Sequence, residues 1–279
     1  MKIAVLHPGA MGASVCAALA GCGHEVHWVV EGRSEQTRKR GEPYAVLPSL
    51  EDLAERVDAV FSVCPPDAAE RLSREVWDVG FRGRYVDANA IQPSRAAALA
   101  DLWGERYVDG GIVGPPAWRE GTTRLYLAGS DAAEVAEWFE GSALEAIALD
   151  GPPTAASALK MCYAAYTKGS SALLLAVRAL AERLGVSGPL VAEWQRSQPG
   201  LDKRVNGAAA GVGPKAWRFE GEMREISATF AEAGLPEGFH EAAAEFYAQL
   251  AALKDREGVS LEDVLSEVLR DGTRISADP

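Results

Sequence analysis

The segment from Met1 to Ser34 leaves this chain few ways to fold. An apolar run, Lys2-Ile-Ala-Val-Leu6, enters the loop His7-Pro-Gly-Ala-Met-Gly12, and an Ala-rich helical stretch follows, ending near Gly21-Cys-Gly23. A second strand pattern, Glu25 to Val30, then runs into Glu31-Gly-Arg-Ser34. Strand, glycine loop, helix and parallel strand make a nucleotide-binding βαβ opening. Small residues let the backbone approach a pyrophosphate, and the helix N-terminus offers it unpaired amides and a partial positive charge. Gly9 and Gly12 keep the second and third places of the G-x-G-x-x-G fingerprint, and His7 occupies the first. Read as a secretory leader, Lys2 and its apolar run fail, because Pro8, Gly9 and Gly12 interrupt the run and a strand pattern resumes at once.

The end of the second strand selects between nicotinamide cofactors: an acid there holds the ribose hydroxyls of NAD, and an arginine accommodates the extra phosphate of NADP. Glu31 could be the acid, but Arg33 and Ser34 follow immediately, which favours NADP over NAD. Arg38, Lys39 and Arg40 read as a solvated helix face. The expected cofactor set is Pro8, Gly9, Ala10, Met11, Gly12, Glu31, Arg33 and Ser34, joined by Cys64, Pro65 and Pro66 where a later strand ends.

Short strand-like runs alternate with helical ones as far as Gly151-Pro-Pro153, the rhythm of a mostly parallel sheet. From Thr154 to the end nearly every segment has helical periodicity. The expected fold is therefore α/β, a doubly wound Rossmann-type domain over 1–152 followed by an all-α domain over 153–279. One run, Thr154 to Leu184, outspans a small domain, so it should pass from the first domain into the second. Its long apolar face, with the Ala/Leu-rich helices after it, predicts a homodimer.

A net charge of −12 disfavours a nucleic-acid partner, because a phosphate backbone would be repelled. No stretch approaches the length of apolar residues needed to cross a bilayer, so no membrane span is expected. Cys16, Cys22, Cys64 and Cys162 form no CxxC pair and no metal-ligand spacing. They read as reduced, buried small residues of a cytoplasmic protein, and no metal is expected.

Lys160 is the only charged side chain between Thr154 and Thr167, set among Ala, Leu, Met and Tyr. Desolvation lowers a lysine's pKa toward the range useful for acid and base catalysis. The alternative is a lysine whose stem covers apolar surface while its ammonium reaches water.

Taken together, Pro8-Gly-Ala-Met-Gly12, Val63-Cys-Pro-Pro66, Val86-Asp-Ala-Asn-Ala-Ile-Gln-Pro93, Asp109-Gly-Gly-Ile-Val-Gly-Pro115 and the Lys160 helix resemble the β-hydroxyacid dehydrogenases. That family includes 3-hydroxyisobutyrate and 6-phosphogluconate dehydrogenases and has the imine reductases as relatives. Glu31-Gly-Arg-Ser34 and the run Lys215 to Ile226 resemble a branch with a 6-phosphogluconate-dehydrogenase-like C-terminal domain.

The resemblance implies that Lys160 is the general acid/base at the substrate oxygen. It also implies that Gly111, Ile112, Val113 and Gly114 form a loop presenting backbone amides to the substrate, with no serine among them. Asn89 stands where the family has a serine beside nicotinamide and substrate, so it is the second expected catalytic residue. Tyr163, with Ala164, replaces an asparagine one turn after the lysine and is expected to line the substrate site. The family's later lysine aligns with Gly221, leaving Lys215 or Arg218 to substitute for it.

Asp87, Asp109 and His240 carry no assigned role, since a strand-end Asp commonly caps the following turn. The expected activity is NADP-dependent hydride transfer to or from a β-hydroxy acid, a small-molecule substrate. The alternatives are an imine reductase on the same fold and an NADP-binding module without chemistry.

Overall fold

The computed structural model describes residues 1–270. Eight strands form one sheet: β1 Lys2–Val5, β2 Glu25–Val29, β3 Ala45–Leu47, β4 Ala59–Ser62, β5 Arg84–Asp87, β6 Tyr107–Val113, β7 Thr123–Ala128 and β8 Leu144–Ala148. Their order is β3-β2-β1-β4-β5-β6-β7-β8. All neighbours are parallel except β6 and β7, which are antiparallel. The strand order reverses between β1 and β4. Ligands of open α/β sheets bind in the crevice outside the C-terminal strand ends at such a point.

Helices α1 Ala10–Gly21, α2 Glu35–Gly41, α3 Leu53–Arg56, α4 Ala69–Asp78, α5 Pro93–Trp103 and α6 Ala132–Glu137 connect the strands. The period-2 alternation of strands distributes them over two cores. Ile3, Val5, Phe61 and Val86 face Val15, Cys16 and Leu19 of α1. Ala4, Leu6, Val60 and Tyr85 face the other way, onto Leu72 and Val76 of α4 and Leu99 and Trp103 of α5. Both faces of the central strands are thus covered, which is why β1 and β4 are nearly all apolar in sequence.

Two segments depart from expectation. Leu144–Ala148 is a strand at the sheet edge that its Ala- and Glu-containing sequence did not announce. Gly110–Val113, expected as part of a substrate loop, continues β6 and pairs with β7, Gly111 opposite Tyr126 and Ile112 opposite Leu125.

Helix α7, Ala155–Arg183, spans 29 residues, about 44 Å at 1.5 Å per residue. It is followed by α8 Ser187–Ser197, α9 Leu201–Val212, α10 Ala216–Glu232, α11 Gly238–Ala248 and α12 Leu261–Arg270. The chain divides into two compact units, Met1–Tyr163 and Ala164–Pro279, and passes from one to the other within α7. In the second unit α10 packs on α11, with Phe219 edge-on to Tyr247 and Phe230 against His240.

Of the cysteines expected to be buried, only Cys16 is. Cys22 and Cys64 are partly exposed and Cys162 is exposed, because its position on α7 faces away from the packed side. No helix among the described residues is long and apolar enough to cross a membrane, and no His, Cys, Asp or Glu cluster among them could hold a metal ion.

Candidate active site

The first unit gathers its glycine-rich and charged segments at the C-terminal ends of the parallel strands. Pro8–Gly12 follows β1, Glu31–Ser34 follows β2, Cys64–Pro66 follows β4 and Asn89 follows β5.

At the β1 end, Gly9 is the N-cap of α1 and no side chain caps the helix. Its first turn has no acidic residue, so its amides and partial charge remain available to an anion. A Cβ built on Gly9 would meet no described heavy atom within 4 Å, whereas one on Gly12 would lie 2.0 Å from the His7 carbonyl oxygen. The two glycines therefore serve different ends: Gly12 lets α1 close on the loop backbone at His7, and Gly9 leaves the space above the loop open.

His7 is partly buried, and its Nδ1, out of reach of solvent, has no hydrogen-bond partner among the described residues. Burial, aided by the positive charges of Arg33 and Arg71, lowers its pKa to about 4, so the ring is neutral at pH 7. Arg33 is half-buried, with its Nε lacking a partner among the described residues. Arg33 and Arg71 of α4 thus both bear on the loop from the ends of β2 and β4. Nothing in the sequence marks Arg71, one of several charges in the helix Ala69–Asp78, where it pairs with Glu75 at 2.7 Å.

Ser34, expected at the cofactor, caps α2 by accepting from the Thr37 amide at 3.3 Å. Glu31 is exposed.

Asn89 is buried and does not direct its amide at the crevice as expected. Its Nδ2 donates to Ser62 Oγ at 3.0 Å and to Asp87 Oδ2 at 2.9 Å, and its Oδ1 accepts from the Cys64 backbone amide. Asp87 also accepts from the Asn89 backbone amide at 3.0 Å. With every hydrogen-bonding atom of the Asn89 side chain engaged, the residue ties the β4 turn to the end of β5. The Cys64 amide is consumed in the same contact.

The lysine helix is anchored one strand further on. Lys160 Nζ donates to the Ile112 carbonyl at 2.6 Å, and a Cβ on Gly111 would lie 2.7 Å from the Ala156 carbonyl and 3.2 Å from Lys160 Cβ. The glycine is what lets α7 close on β6. A backbone nest over Gly110–Gly114 is absent, since extended backbone turns successive amides to opposite sides while a nest needs them on the same side. Gly114 alone lies beyond the strand, at φ +124° and packed on the Thr122 backbone. Tyr163, one turn after Lys160, is about half exposed.

Asp109, unassigned from sequence, accepts from the Ser157 amide at 2.7 Å and from the Ser157 hydroxyl. It lies opposite Asp87 in the parallel register of β5 and β6. Burial raises Asp87 to about 7 and Asp109 to about 6.

Residues 181–250 match a family described as a domain of unknown function, DUF1932. The chain is 31% identical over 172 residues to an uncharacterized 28.5 kDa protein in the 7S RNA 5′ region of Methanothermus fervidus. That match takes in 60% of this chain and 66% of the relative, somewhat under two thirds of its length. Among solved structures, a conserved protein of unknown function, described as structurally similar to 3-hydroxyacid dehydrogenases, is 25% identical. It covers 91% of this chain and 98% of its own, with a TM-score of 0.68. The 3-hydroxyisobutyrate dehydrogenase of Mycobacterium tuberculosis, solved with L-serine, is 20% identical over 96% of this chain and 99% of its own, with a TM-score of 0.69. The fold is that of the 3-hydroxyacid dehydrogenases, as the resemblance in sequence implied.

Proposed function

We propose that this chain, built on the 3-hydroxyacid dehydrogenase fold, is an NADP-dependent oxidoreductase acting on a β-hydroxy acid or its keto form, with Lys160 as general acid/base. The observation that carries the reading is the anchoring of Lys160 at Ile112 on β6, on the same strand-end edge of the sheet as the glycine loop. From β1 to β6 is three inter-strand steps, about 14 Å at 4.8 Å each, so one dinucleotide laid across the strand ends connects the two.

The residues present fit such a cofactor. The open space over Gly9 and the uncapped amides of α1 suit a pyrophosphate, and Arg33, with Arg71 nearby, suits the additional phosphate of NADP. When bound, the nicotinamide would accept or supply the hydride. Lys160 then has one task, the proton on the substrate oxygen: its amine takes the hydroxyl proton during oxidation, and its ammonium returns a proton to the carbonyl oxygen during reduction. An ammonium has three N–H donors, and the Ile112 carbonyl orients the group by accepting one of them. Gly114 and Tyr163 flank that position along the chain and would contact the rest of the substrate.

Helix α7 supports a homodimer. In the second unit Tyr166, Leu173 and Leu180 recur at seven-residue spacing and are 67%, 61% and 57% exposed, an apolar stripe of the kind that seats a second copy. The unpaired cysteines are consistent with a cytoplasmic setting.

The decisive experiment replaces Lys160 with Ala and follows NADPH consumption against a panel of β-keto acids and cyclic imines. The variant should bind NADPH as the wild type does and lose about 100-fold or more in turnover of the keto acid. Undiminished turnover would remove the acid/base role, and turnover confined to imines would move the activity to C=N reduction.

A further inference from the structure

We propose that Asp109 is the positioning residue for Lys160: it clamps the first turn of α7 onto β6 and so holds the lysine ammonium at the Ile112 carbonyl. The inference rests on the reading of Lys160 as the acid/base, and it concerns a residue to which that reading gives no part.

The first amides of a helix have no acceptor within the helix, and a side chain just before the helix commonly supplies one. Here Gly151-Pro-Pro153 leads into α7, and Ala155 donates to the Pro152 carbonyl at 2.9 Å. The next acceptor comes from 48 residues upstream. Asp109 takes the Ser157 amide on one carboxylate oxygen and the Ser157 hydroxyl on the other. A buried carboxylate at the N-terminus of a 29-residue helix also gains from the helix's partial positive charge.

The same strand makes two further contacts with this turn. Gly111 contributes the absence of a side chain, which admits the Ala156 carbonyl and Lys160 Cβ, and Ile112 contributes its carbonyl to Lys160 Nζ. Asp109, Gly111 and Ile112 therefore fix Ser157, Ala156 and Lys160 respectively, three strand positions against one turn of helix. Ser157 and Lys160 are three residues apart and on one side of α7. Freeing the Ser157 end lets the turn rotate, and the reach of Nζ to Ile112 changes with it.

Burial drives Asp109 up to about 6, so the carboxylate is retained against a desolvation cost. A cap that served the helix alone could have been a local Ser or Asn at no such cost.

The test labels lysines in the cofactor-free protein with a short pulse of acetic anhydride and quantifies acetyl-Lys160 by peptide mass spectrometry, with Lys168 on the same helix as internal reference. In Asp109→Ala, Lys160 labelling should rise about fivefold or more, the factor that goes with one lost hydrogen bond, while Lys168 labelling and NADPH affinity stay at wild-type values. Turnover should fall about 10- to 100-fold with little change in KM. Asp109→Asn, which keeps an acceptor for the Ser157 amide, should recover part of both effects.

Unchanged Lys160 labelling in Asp109→Ala would overturn the proposal, whatever happens to turnover. Should Asp109→Ala fail to fold, Ser157→Ala removes only the hydroxyl arm and must show the same two changes in smaller measure, or the proposal falls. If the wild type turns over none of the substrates, the acid/base reading fails by itself. The labelling contrast still decides whether Asp109 holds the lysine.

Discussion

The two glycines of the first loop can be separated by a single methyl group. Gly12→Ala places a Cβ 2.0 Å from the His7 carbonyl oxygen, and ordinary contact begins near 3.4 Å, so backbone must yield by about 1.4 Å. Neither partner is the flexible end of a side chain; α1 and the backbone of the loop at His7 must separate. Overpacking of this kind costs about 1–3 kcal/mol, or roughly 2–12 °C of melting temperature for a unit of this size. Gly9→Ala meets no described atom within 4 Å, and its backbone, φ −66° and ψ −164°, is open to any L-residue. The lost preference for Gly at a helix N-cap and the reduced entropy of the unfolded chain act in opposite directions, leaving stability within about 1 kcal/mol of wild type.

The order reverses for the cofactor. If the pyrophosphate approaches the backbone at Gly9, the methyl group occupies its place, and NADPH affinity falls at least about tenfold, 1.4 kcal/mol. Differential scanning fluorimetry without cofactor and an NADPH fluorescence titration measure the two effects separately. A Gly9→Ala protein that binds NADPH with wild-type affinity would refute the placement of the phosphates. A Gly12→Ala protein that melts with the wild type would refute the packing.

Two further outcomes are expected. Arg33→Ala should weaken NADPH by about tenfold or more, the scale of a lost charge-assisted contact to phosphate, and leave NADH within about twofold; equal losses for both, read by titration, would exclude Arg33 from the phosphate. His7 supplies a pH dependence. Its folded pKa of about 4 lies below the ordinary 6.5, so between those values the unfolded chain binds a proton that the folded chain does not. Stability is lost as pH falls from 6.5 toward 4, by up to about 3 kcal/mol after allowance for partial exposure. From pH 7 to pH 4 the urea midpoint of the wild type should fall relative to that of His7→Gly, which lacks the titrating ring, and parallel profiles would contradict the burial of the ring.

The elements legible in the sequence are those whose burial leaves a local mark. β1 and β4 read as strands because helices cover both faces and their residues are nearly all apolar, while β2 and β5 keep Val26, Trp28 and Val29 and Tyr85 and Val86 beside polar residues. β8 was invisible because Leu144-Glu-Ala-Ile-Ala148 lies at the edge, half exposed, with residues equally at home in a helix. Gly110-Gly111 read as a loop because glycine weakens strands, yet the missing side chain at Gly111 is what lets α7 approach.

Lys160 could be found by inspection, as a lone charge on an apolar helix, and so could Gly9 and Gly12. Asp109 could not, since its partner Ser157 is 48 residues away, nor could the engagement of Asn89, whose partners Ser62 and Cys64 lie at the end of a different strand. Arg71 was hidden among the charges of α4, where only the fold brings it to bear on His7.

The opposed carboxylates of Asp87 and Asp109 explain how these distant pieces keep their relation. Each lies at the last paired position of β5 and β6, and each is buried at a cost that raises its pKa. Asp87 acts through Asn89 on the turn that begins at Cys64, and Asp109 acts on the turn that bears Lys160. Parallel strands lie about 4.8 Å apart, so the ladder itself sets the spacing between the two clamped turns.

Apolar residues at both positions would relieve the desolvation but leave the buried amides and hydroxyls of Asn89 and Ser157 without acceptors, about 1–3 kcal/mol for each orphaned group. They would also leave two mobile turns where the proposed chemistry needs two fixed ones. Buried charge at this place is thus better understood as a means of fixing geometry than as a source of stability.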